Sequence, residues 1–124
     1  MGNFRFPKAE RLSKRNSIQE LFTRGSSFYL SPFKVLSFKS LDANTTHQVL
    51  FSVSKRNFKK AVDRNLIKRR MREAYRLNKH LLSESPSLQI AYIYTAKEIQ
   101  DFSSIQEKLV KSFDHLLREY VEKK

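Results

Sequence analysis

The strongest constraint on the fold is the spacing of the apolar residues between residues 61 and 82. They recur at intervals of four, three, three and four residues, which is the period of an α-helix with one buried face. The members of this apolar stripe are Ile67, Met71, Ala74, Leu77 and Leu81. The spacing therefore predicts a long helix from Ala61 to Leu82 that packs one side against another layer of the protein.

The other side of this predicted helix carries positive charge. Residues 55–80 contain eleven Lys and Arg residues against Asp63 and Glu73, and they supply most of the formal net charge of +13. A ridge of four-residue spacing is formed by Arg64, Lys68, Arg72 and Arg76, and it is widened by Arg69, Arg70 and Lys79. Such a ridge suits the phosphates of a nucleic acid, so the expected partner is a polyanion.

Other interpretations of the basic segment stay open at this point. A run of cations is often only a solvated face, and it can also be a targeting signal or a helix on a membrane surface. Glu73 can pair with Arg69 or Arg76, which leaves most of the like charges uncompensated. Asn65 can either cap a neighbouring turn or touch a 2′-hydroxyl or a base edge.

The remaining elements fit one small domain. A first helix begins around Asn16 and stops at Gly25, and strands are predicted over Phe28–Phe38, His47–Ser54 and Leu88–Thr95. Ser103 with Gln106 is expected to open a final helix. Its predicted buried face consists of Ile105, Leu109, Phe113, Leu116, Leu117 and Tyr120. The expected class is α+β, with helices packed on one small sheet over residues 1–124.

A second surface is expected beside the first helix. Ile18 and Phe22 on that helix can face Leu36, Ser52 and Tyr94 on the sheet. An open groove between them would suit unstacked RNA bases. The alternative is that these residues simply fill the core.

The sequence offers no evident active site. It has no cysteine and two glycines, which excludes thiolate chemistry and a Gly-rich phosphate loop. His47, His80 and His115 are far apart, and Ser54 has no His and acid to activate it. No catalytic or metal-ligating residue is therefore assigned. The absence of an apolar run of signal-peptide or membrane-span length leads us to expect a soluble, cytoplasmic protein.

The segment AVDRNLIKRRMREAYR, from Ala61 to Arg76, resembles the arginine-rich signature of the bacterial ribonuclease P protein subunit. The positions that match the motif are Arg64, Asn65, Lys68, Arg69, Arg72, Glu73 and Arg76. The similarity also includes FPKAERL near the start, ELFTRG at the end of the first helix and the SVSKR strand. It therefore extends through most of the chain.

This resemblance implies an α/β sandwich with a central sheet and a left-handed crossover, against the usual right-handed rule. It implies the noncatalytic protein subunit of an endoribonuclease whose RNA subunit removes the 5′ leader from precursor tRNA with Mg²⁺. The implied partners are that RNA and precursor tRNA, with no membrane and no DNA. The implied cofactors are the catalytic RNA and Mg²⁺ held mainly by RNA.

The resemblance also implies two sets of binding residues. The RNA subunit would be bound by Arg64, Asn65, Lys68, Arg69, Arg72 and Arg76. The single-stranded leader would lie in a cleft formed by Ile18, Phe22, Lys34, Leu36, Ser52, Arg56 and Tyr94. These residues would help the protein to lower the Mg²⁺ requirement of the catalytic RNA.

Two departures from the family pattern affect the cleft. Gln48 and Leu50 stand where the family often has Arg-x-Gly, and Ile18 stands where an aromatic residue is common. Leu50 puts a larger side chain near the implied cleft, and the missing aromatic ring at Ile18 weakens a stacking contact with the leader. A structural RNA-binding protein of ribosomal type and a self-sufficient nuclease remain as alternatives, and the nuclease has no candidate catalytic residues.

Overall fold

The computed structural model describes residues 10–12, 15–39, 47–83 and 85–121. These ranges contain three α-helices, four strands and one 3-10 turn at Lys79–Leu82. In chain order the elements are α1 (Arg15–Arg24), β1 (Ser26–Leu30), β2 (Phe33–Lys39), β3 (Gln48–Val53), α2 (Ala61–Asn78), β4 (Leu88–Tyr94) and α3 (Phe102–Tyr120). The predicted α+β class is confirmed.

The four strands form one mixed sheet in the order β1, β2, β4, β3. The β1–β2 and β2–β4 pairs are antiparallel, whereas β3 and β4 are parallel. Parallel neighbours need a long connection, which here is α2. The basic helix therefore spans from one end of the sheet to the other and is fixed at both of its ends.

The prediction of a single strand from Phe28 to Phe38 is wrong. The segment is a hairpin in which Leu30 pairs with Phe33 across a turn at Ser31 and Pro32, and the peptide bond between these two is cis. Proline has no amide hydrogen for a sheet ladder, so it ends a strand more readily than it continues one. The described residues therefore contain four strands, one more than the three that the sequence pattern predicts.

The two faces of the sheet have different cover. On one face α2 and α3 enclose the main core, which includes Phe33, Val35, Val49, Phe51 and Tyr92. On the other face α1 covers a smaller cluster, in which Leu12, Leu21, Leu36 and Ala91 are buried. The predicted strand from His47 to Ser54 is present as β3, and it alternates in burial, because Val49, Phe51 and Val53 are buried and the residues between them are half-buried.

Helix α2 packs largely as its apolar spacing predicts. Ile67, Met71 and Ala74 are fully buried, and Leu77 is half-buried. The last predicted member, Leu81, is 42% exposed, and Leu82 is buried in its place. The reason is that the α-helix ends at Asn78 and the tighter 3-10 turn rotates the following side chains.

Helix α3 begins earlier than its predicted capping box. Asp101 is the N-cap, and its carboxylate accepts a hydrogen bond from the Ser104 amide at 2.9 Å. Ile105, Leu109, Phe113 and Leu116 form the predicted buried face, while Leu117 and Tyr120 are half-buried at its edge. The predicted end of α1 is confirmed, because the Gly25 amide donates to the Leu21 carbonyl at 2.9 Å. The Asn16 side chain lies outside the described residues.

His47 joins two segments that flank the parallel strands. Its Nδ1 accepts a hydrogen bond from the Leu88 amide, so the proton of the neutral ring is on Nε2, which lies 3.1 Å from the Leu82 carbonyl. Burial lowers the pKa of His47, and the Leu82 hydrogen bond and the Glu10 charge oppose this shift less strongly. The neutral ring is thus the form that fits the fold.

This arrangement predicts a loss of stability in mild acid. The unfolded state binds a proton at His47 with a pKa near 6.5, whereas the folded state resists protonation, so the free energy of unfolding falls as pH decreases below about 6.5. The slope from one such group is at most about 1.4 kcal/mol per pH unit. Urea denaturation between about pH 7.5 and 5.5 should show a shallower slope for His47→Ala than for the wild type. Equal slopes would contradict this assignment.

Candidate RNA-binding surfaces

The outer face of α2 is an exposed cationic surface, which we call the α2 basic face and define by Asn65, Lys68, Arg69 and Arg72. Asn65, Arg69 and Arg72 are exposed, and Lys68 is half-buried. The opposite side of the helix is fixed in the core by Ile67, Met71, Ala74 and Tyr75. Because that side cannot rotate outward, the cations stay directed away from the sheet.

Arg64 is half-buried and bonded to the loop that precedes α2. Its Nη1 donates to the carbonyl oxygens of Phe58 at 2.8 Å and Lys59 at 2.9 Å. No side chain caps the start of this helix at Lys60, so Arg64 provides the local link between the loop and the first turn. One guanidinium nitrogen is thus engaged, and the group is held in a fixed orientation beside the α2 basic face.

Arg76, at the other end of the predicted ridge, is paired with Glu73. Two hydrogen bonds join the guanidinium to the carboxylate, one of them from Nε to Oε1 at 3.1 Å. The Arg76 hydrogen bond lowers the pKa of the Glu73 carboxyl, and the Glu73 hydrogen bond raises the pKa of Arg76. Of the two partners considered for Glu73, the structure selects Arg76, which reduces the positive charge at this end.

Arg70 and Lys79 do not widen the ridge as predicted. Arg70 donates to the Gln100 carbonyl at 2.6 Å and so ties α2 to the segment before α3. Lys79 pairs with Glu10 at 2.9 Å, and both side chains are largely buried. These partners are far away in the sequence, so helical spacing alone could not exclude the two cations.

A second surface lies on the α1 side of the sheet, and we call it the α1 groove. Phe22 projects from α1 with 46% of its surface exposed, and Ile18 is half-buried against the small cluster. Lys34 on β2 is exposed and Ser52 on β3 is half-buried, and Ile93 of the intervening strand β4 pairs with both. Leu36, at 5% exposure, is part of the floor rather than an open contact.

Tyr94 does not belong to the α1 groove, and its predicted place in the cleft is wrong. Alternation along β4 puts Tyr94 on the same face as Ile90 and Tyr92, and its side chain is fully buried in the main core against Phe33 and Phe58. The β4 residues on the groove side are Ala91 and Ile93. A tyrosine with no exposed surface cannot line an open cleft.

The Tyr94 hydroxyl instead holds the loop after β4. It donates to the Glu98 carbonyl at 2.7 Å and accepts from the Gln100 amide at 3.1 Å. Burial raises the pKa of this tyrosine, so the hydroxyl keeps its proton and its donor role at neutral pH. Tyr94 therefore fixes the loop that carries Lys97.

We expect Tyr94→Phe to loosen this loop. Loss of the two hydrogen bonds should lower the free energy of unfolding by about 1–2 kcal/mol and speed hydrogen exchange of the Gln100 amide. Chemical denaturation and exchange mass spectrometry provide the two readouts. Unchanged exchange at Gln100 would show that the hydroxyl is not what holds the loop.

A third basic feature lies on the segment that connects β3 to α2. The chain leaves β3 through an open depression lined by Ser54, Lys55, Arg56, Asn57 and Lys97, and then enters α2. The Ser54 hydroxyl accepts from the Arg56 amide at 3.0 Å, and the Asn57 amide group reaches the Thr95 carbonyl at 3.5 Å. Arg56 is exposed and lines this depression, and its predicted contact with the leader stays a prediction.

Lys97 is the residue that the sequence analysis missed. It follows β4 by three residues and meets the basic loop only because β3 and β4 are parallel neighbours whose ends coincide. In the sequence, Lys55 and Lys97 each follow a predicted strand by a few residues. This pattern indicates that the two lysines are close only when the two strands are known to be parallel neighbours.

The acidic and histidine side chains of the described residues are dispersed or used in structural contacts. No three His, Cys, Asp or Glu residues there come close enough to hold a metal ion. His47 is used by backbone groups, and His115 is stacked on Phe28. Among the same residues, no helix is both long and apolar enough to cross a bilayer.

The fold and these surfaces define a class, namely a small basic α+β protein with a cationic helix adjoining a groove on a mixed sheet. Residues 6–120 match the family described as Ribonuclease P. The "Ribonuclease P protein component" of Porphyromonas gingivalis is 36% identical over 115 residues, which cover 88% of this chain and 84% of that protein.

Solved structures give the same result. The Staphylococcus aureus RNase P protein superposes with a TM-score of 0.72 at 27% identity, covering 88% of this chain and 96% of that one. The Thermotoga maritima RNase P protein gives 0.72 at 29% identity, covering 86% and 96%. The chain belongs to the ribonuclease P protein family, and the resemblance inferred from the sequence is confirmed. Membership of this family associates the chain with tRNA processing, as a protein component of a ribonucleoprotein.

Proposed function

We propose that this chain is the noncatalytic subunit that assists the ribonuclease P RNA in removing the 5′ leader from precursor tRNA. The α2 basic face would bind the RNA subunit, and the α1 groove would hold the leader. The observation that carries the proposal is the exposure of Arg69 and Arg72 on a helix whose other side is locked in the core. Residues 1–124 would form one RNA-binding domain that acts in the cytoplasm.

The chemistry of the α2 basic face supports contact with RNA phosphates. Arginine presents forked donors that match phosphate oxygens, and each phosphate neutralised releases counterions. Arg64, already oriented by two loop carbonyls, would add its remaining donors with little further loss of freedom. Asn65 is exposed among these cations and would reach a 2′-hydroxyl or a base edge. Arg76 would contribute less because Glu73 offsets its charge.

The groove chemistry supports a single-stranded leader. Phe22 offers an exposed ring for base stacking, while Lys34 and Arg56 supply cations near the strand ends. Leu50 is half-buried with Ile93 and Ile18 in the small cluster, so the departure from the family's glycine makes this surface more apolar. The proposed leader contacts are therefore Ile18, Phe22, Lys34, Ser52 and Arg56 above a floor formed by Leu36.

A lower Mg²⁺ requirement follows from the same placement of charge. The loop from Ser54 to Lys60 connects β3, which carries the groove residue Ser52, to α2, so its cations would lie between the two proposed ligands. Positive charge between two polyanions reduces their repulsion, which Mg²⁺ must otherwise screen. The metal ions of the reaction would be held mainly by RNA, with no catalytic group supplied by the protein.

The test is recovery of the bound RNA from cells of the source organism. The full chain carrying an affinity tag should copurify with ribonuclease P RNA and leader-bearing tRNA precursors, and Arg69→Ala/Arg72→Ala should recover much less of both. Copurification with ribosomal RNA at stoichiometric amounts, without ribonuclease P RNA, would contradict the proposal and favour a ribosomal protein. Lys39→Ala/Lys108→Ala, which removes the same charge elsewhere, is the matched control.

A further inference from the structure

A separate pocket of about 360 Å³ lies between the edge strand β1 and α3. Its lining residues are Phe28, Tyr29, Leu30, Lys111, Asp114, His115 and Arg118. This volume is within the range of roughly 300–1,000 Å³ that is typical of small-molecule sites. The pocket is distinct from both surfaces described above, because α2 packs beside β3 at the opposite edge of the sheet, and α1 covers the opposite face.

An aromatic platform is already built into this pocket. The rings of Phe28 and His115 are stacked with centroids 3.7 Å apart and planes inclined by 24°. Phe28 packs against the main core, whereas His115 remains exposed on α3. The imidazole is therefore held flat on a fixed support while part of its surface stays open to solvent.

Cations lie on both sides of the platform along α3. Lys111 is four residues before His115 and Arg118 is three residues after it, which places all three on one side of the helix. Asp114 also lines the pocket, yet within the described residues neither Asp114 nor Arg118 takes part in an ion pair. Lys111 has one contact, at 3.7 Å, with the exposed Glu107. These charges are only weakly engaged within the protein.

We propose that this pocket binds one nucleotide of a single-stranded RNA. The base would stack on the His115 ring, since aromatic rings accept every base on their faces. Arg118 and Lys111 would bind the flanking phosphates. Asp114 is an acceptor only, so it repels phosphate but pairs with the N–H groups of a base edge, which orients the base inward.

The charge of the whole chain favours this occupant over an acidic peptide or a lone anion. A net charge of +13 attracts polyanions in general. The stacked aromatic pair adds a contact that inorganic phosphate and a glutamate side chain cannot use. A nucleotide, with one aromatic ring and one charged group, matches both halves of the lining.

The pocket can be tested by NMR on the whole chain of residues 1–124. A basic chain binds RNA at several places, so a residue-specific measurement is needed to detect binding at this pocket. The probe is a 5′-phosphorylated adenosine trinucleotide, with inorganic phosphate and a nonaglutamate peptide as comparison ligands. We expect the trinucleotide to shift the backbone amides of Phe28, Leu30 and His115 with saturable binding. No shift at these amides when those of α2 are saturated would overturn the proposal.

Variants distinguish the contribution of base stacking to RNA binding at this pocket from that of the chain's overall positive charge. His115→Ala/Arg118→Ala should weaken binding at the Phe28 and Leu30 amides at least about tenfold, while the α2 amides respond as before. His115→Phe should retain most of the affinity because it keeps an aromatic ring, and Lys39→Ala, at the exposed end of β2 and outside the pocket lining, should have no effect. The proposal is overturned if the double variant binds normally, or if phosphate or the peptide produces the same shifts as the trinucleotide. These results do not depend on which RNA the α2 basic face binds.

Discussion

Replacing Arg69 and Arg72 together with alanine is expected to weaken binding of the ribonuclease P RNA by about 10- to 100-fold at moderate salt. Both side chains are exposed, and the α2 core residues that hold the helix are untouched, so the free energy of unfolding should hardly change. The loss of two phosphate contacts should also reduce the slope of log affinity against log salt by about 1.4–1.8. Filter binding over a salt series measures both quantities.

The control for this prediction removes the same amount of charge from elsewhere. Lys39 is exposed at the end of β2 and Lys108 is half-buried on α3, and neither lies on the α2 basic face. Lys39→Ala/Lys108→Ala should change affinity only slightly, through the weaker long-range field. If both double variants lose affinity equally, binding depends on net charge and the α2 basic face has no special role.

Replacing Phe22 with alanine should impair binding of precursor tRNA while sparing mature tRNA. Stacking on an exposed ring is typically worth about 1–3 kcal/mol per base, which corresponds to about 5- to 150-fold in affinity of the holoenzyme for leader-bearing substrate. Because Phe22 is about half exposed, the stability loss should be about 1–2 kcal/mol, below that of a fully buried phenylalanine. Phe22→Tyr should restore most of the affinity.

Leu81→Ala is the matched control, since Leu81 is 42% exposed and lies on the 3-10 turn away from the α1 groove. It should lose a similar amount of stability without a preference between the two substrates. Competition binding of precursor and mature tRNA to the assembled holoenzyme measures the difference. Equal losses for both tRNAs in Phe22→Ala would mean that the ring serves only to pack α1 on the sheet.

Periodicity explains which parts of the fold could be predicted from the sequence. The stripes of α2 and α3 repeat at three and four residues, and β3 alternates at two, so periodicity alone predicts that Ile67, Phe51 and Leu109 face the core, where the structure places them. The hairpin within residues 28–38 was not predictable from periodicity, because both of its strands have the composition of one long strand. The pairing of Leu30 with Phe33 in the structure shows that the segment folds back on itself as two antiparallel strands.

The basic residues of α2 show that helical spacing alone does not predict which cations are exposed for binding. Arg70 and Lys79 have the spacing of the ridge, but their partners are the Gln100 carbonyl and the Glu10 carboxylate, which the fold brings from far along the chain. Conversely, tertiary structure adds Lys97 to the basic depression, because the parallel pairing of β3 and β4 brings it beside the loop that follows β3. Spacing predicts on which side of a helix a cation lies, and tertiary contacts decide whether that cation is free to bind a ligand.

Tyr94 illustrates a further limit. Alternation along β4 already groups it with Ile90 and Tyr92, but the sequence does not say which of the two faces α1 covers. Tyr94 was predicted to share a face with Leu36 and Ser52, but the structure places it on the opposite face of the sheet. The proposed cleft is therefore smaller and more apolar than the sequence indicated, with Phe22 as its main exposed ring.

The most direct test of the proposed function is reconstituted cleavage. The purified chain, the ribonuclease P RNA of its own organism and a 5′-labelled precursor tRNA should be mixed at low Mg²⁺, with each component omitted in turn. Cleavage should require the RNA, should be stimulated by the protein and should be absent with protein alone. A well-folded protein that leaves cleavage at low Mg²⁺ unchanged, or that cleaves without the RNA, would contradict its role as a noncatalytic assisting subunit.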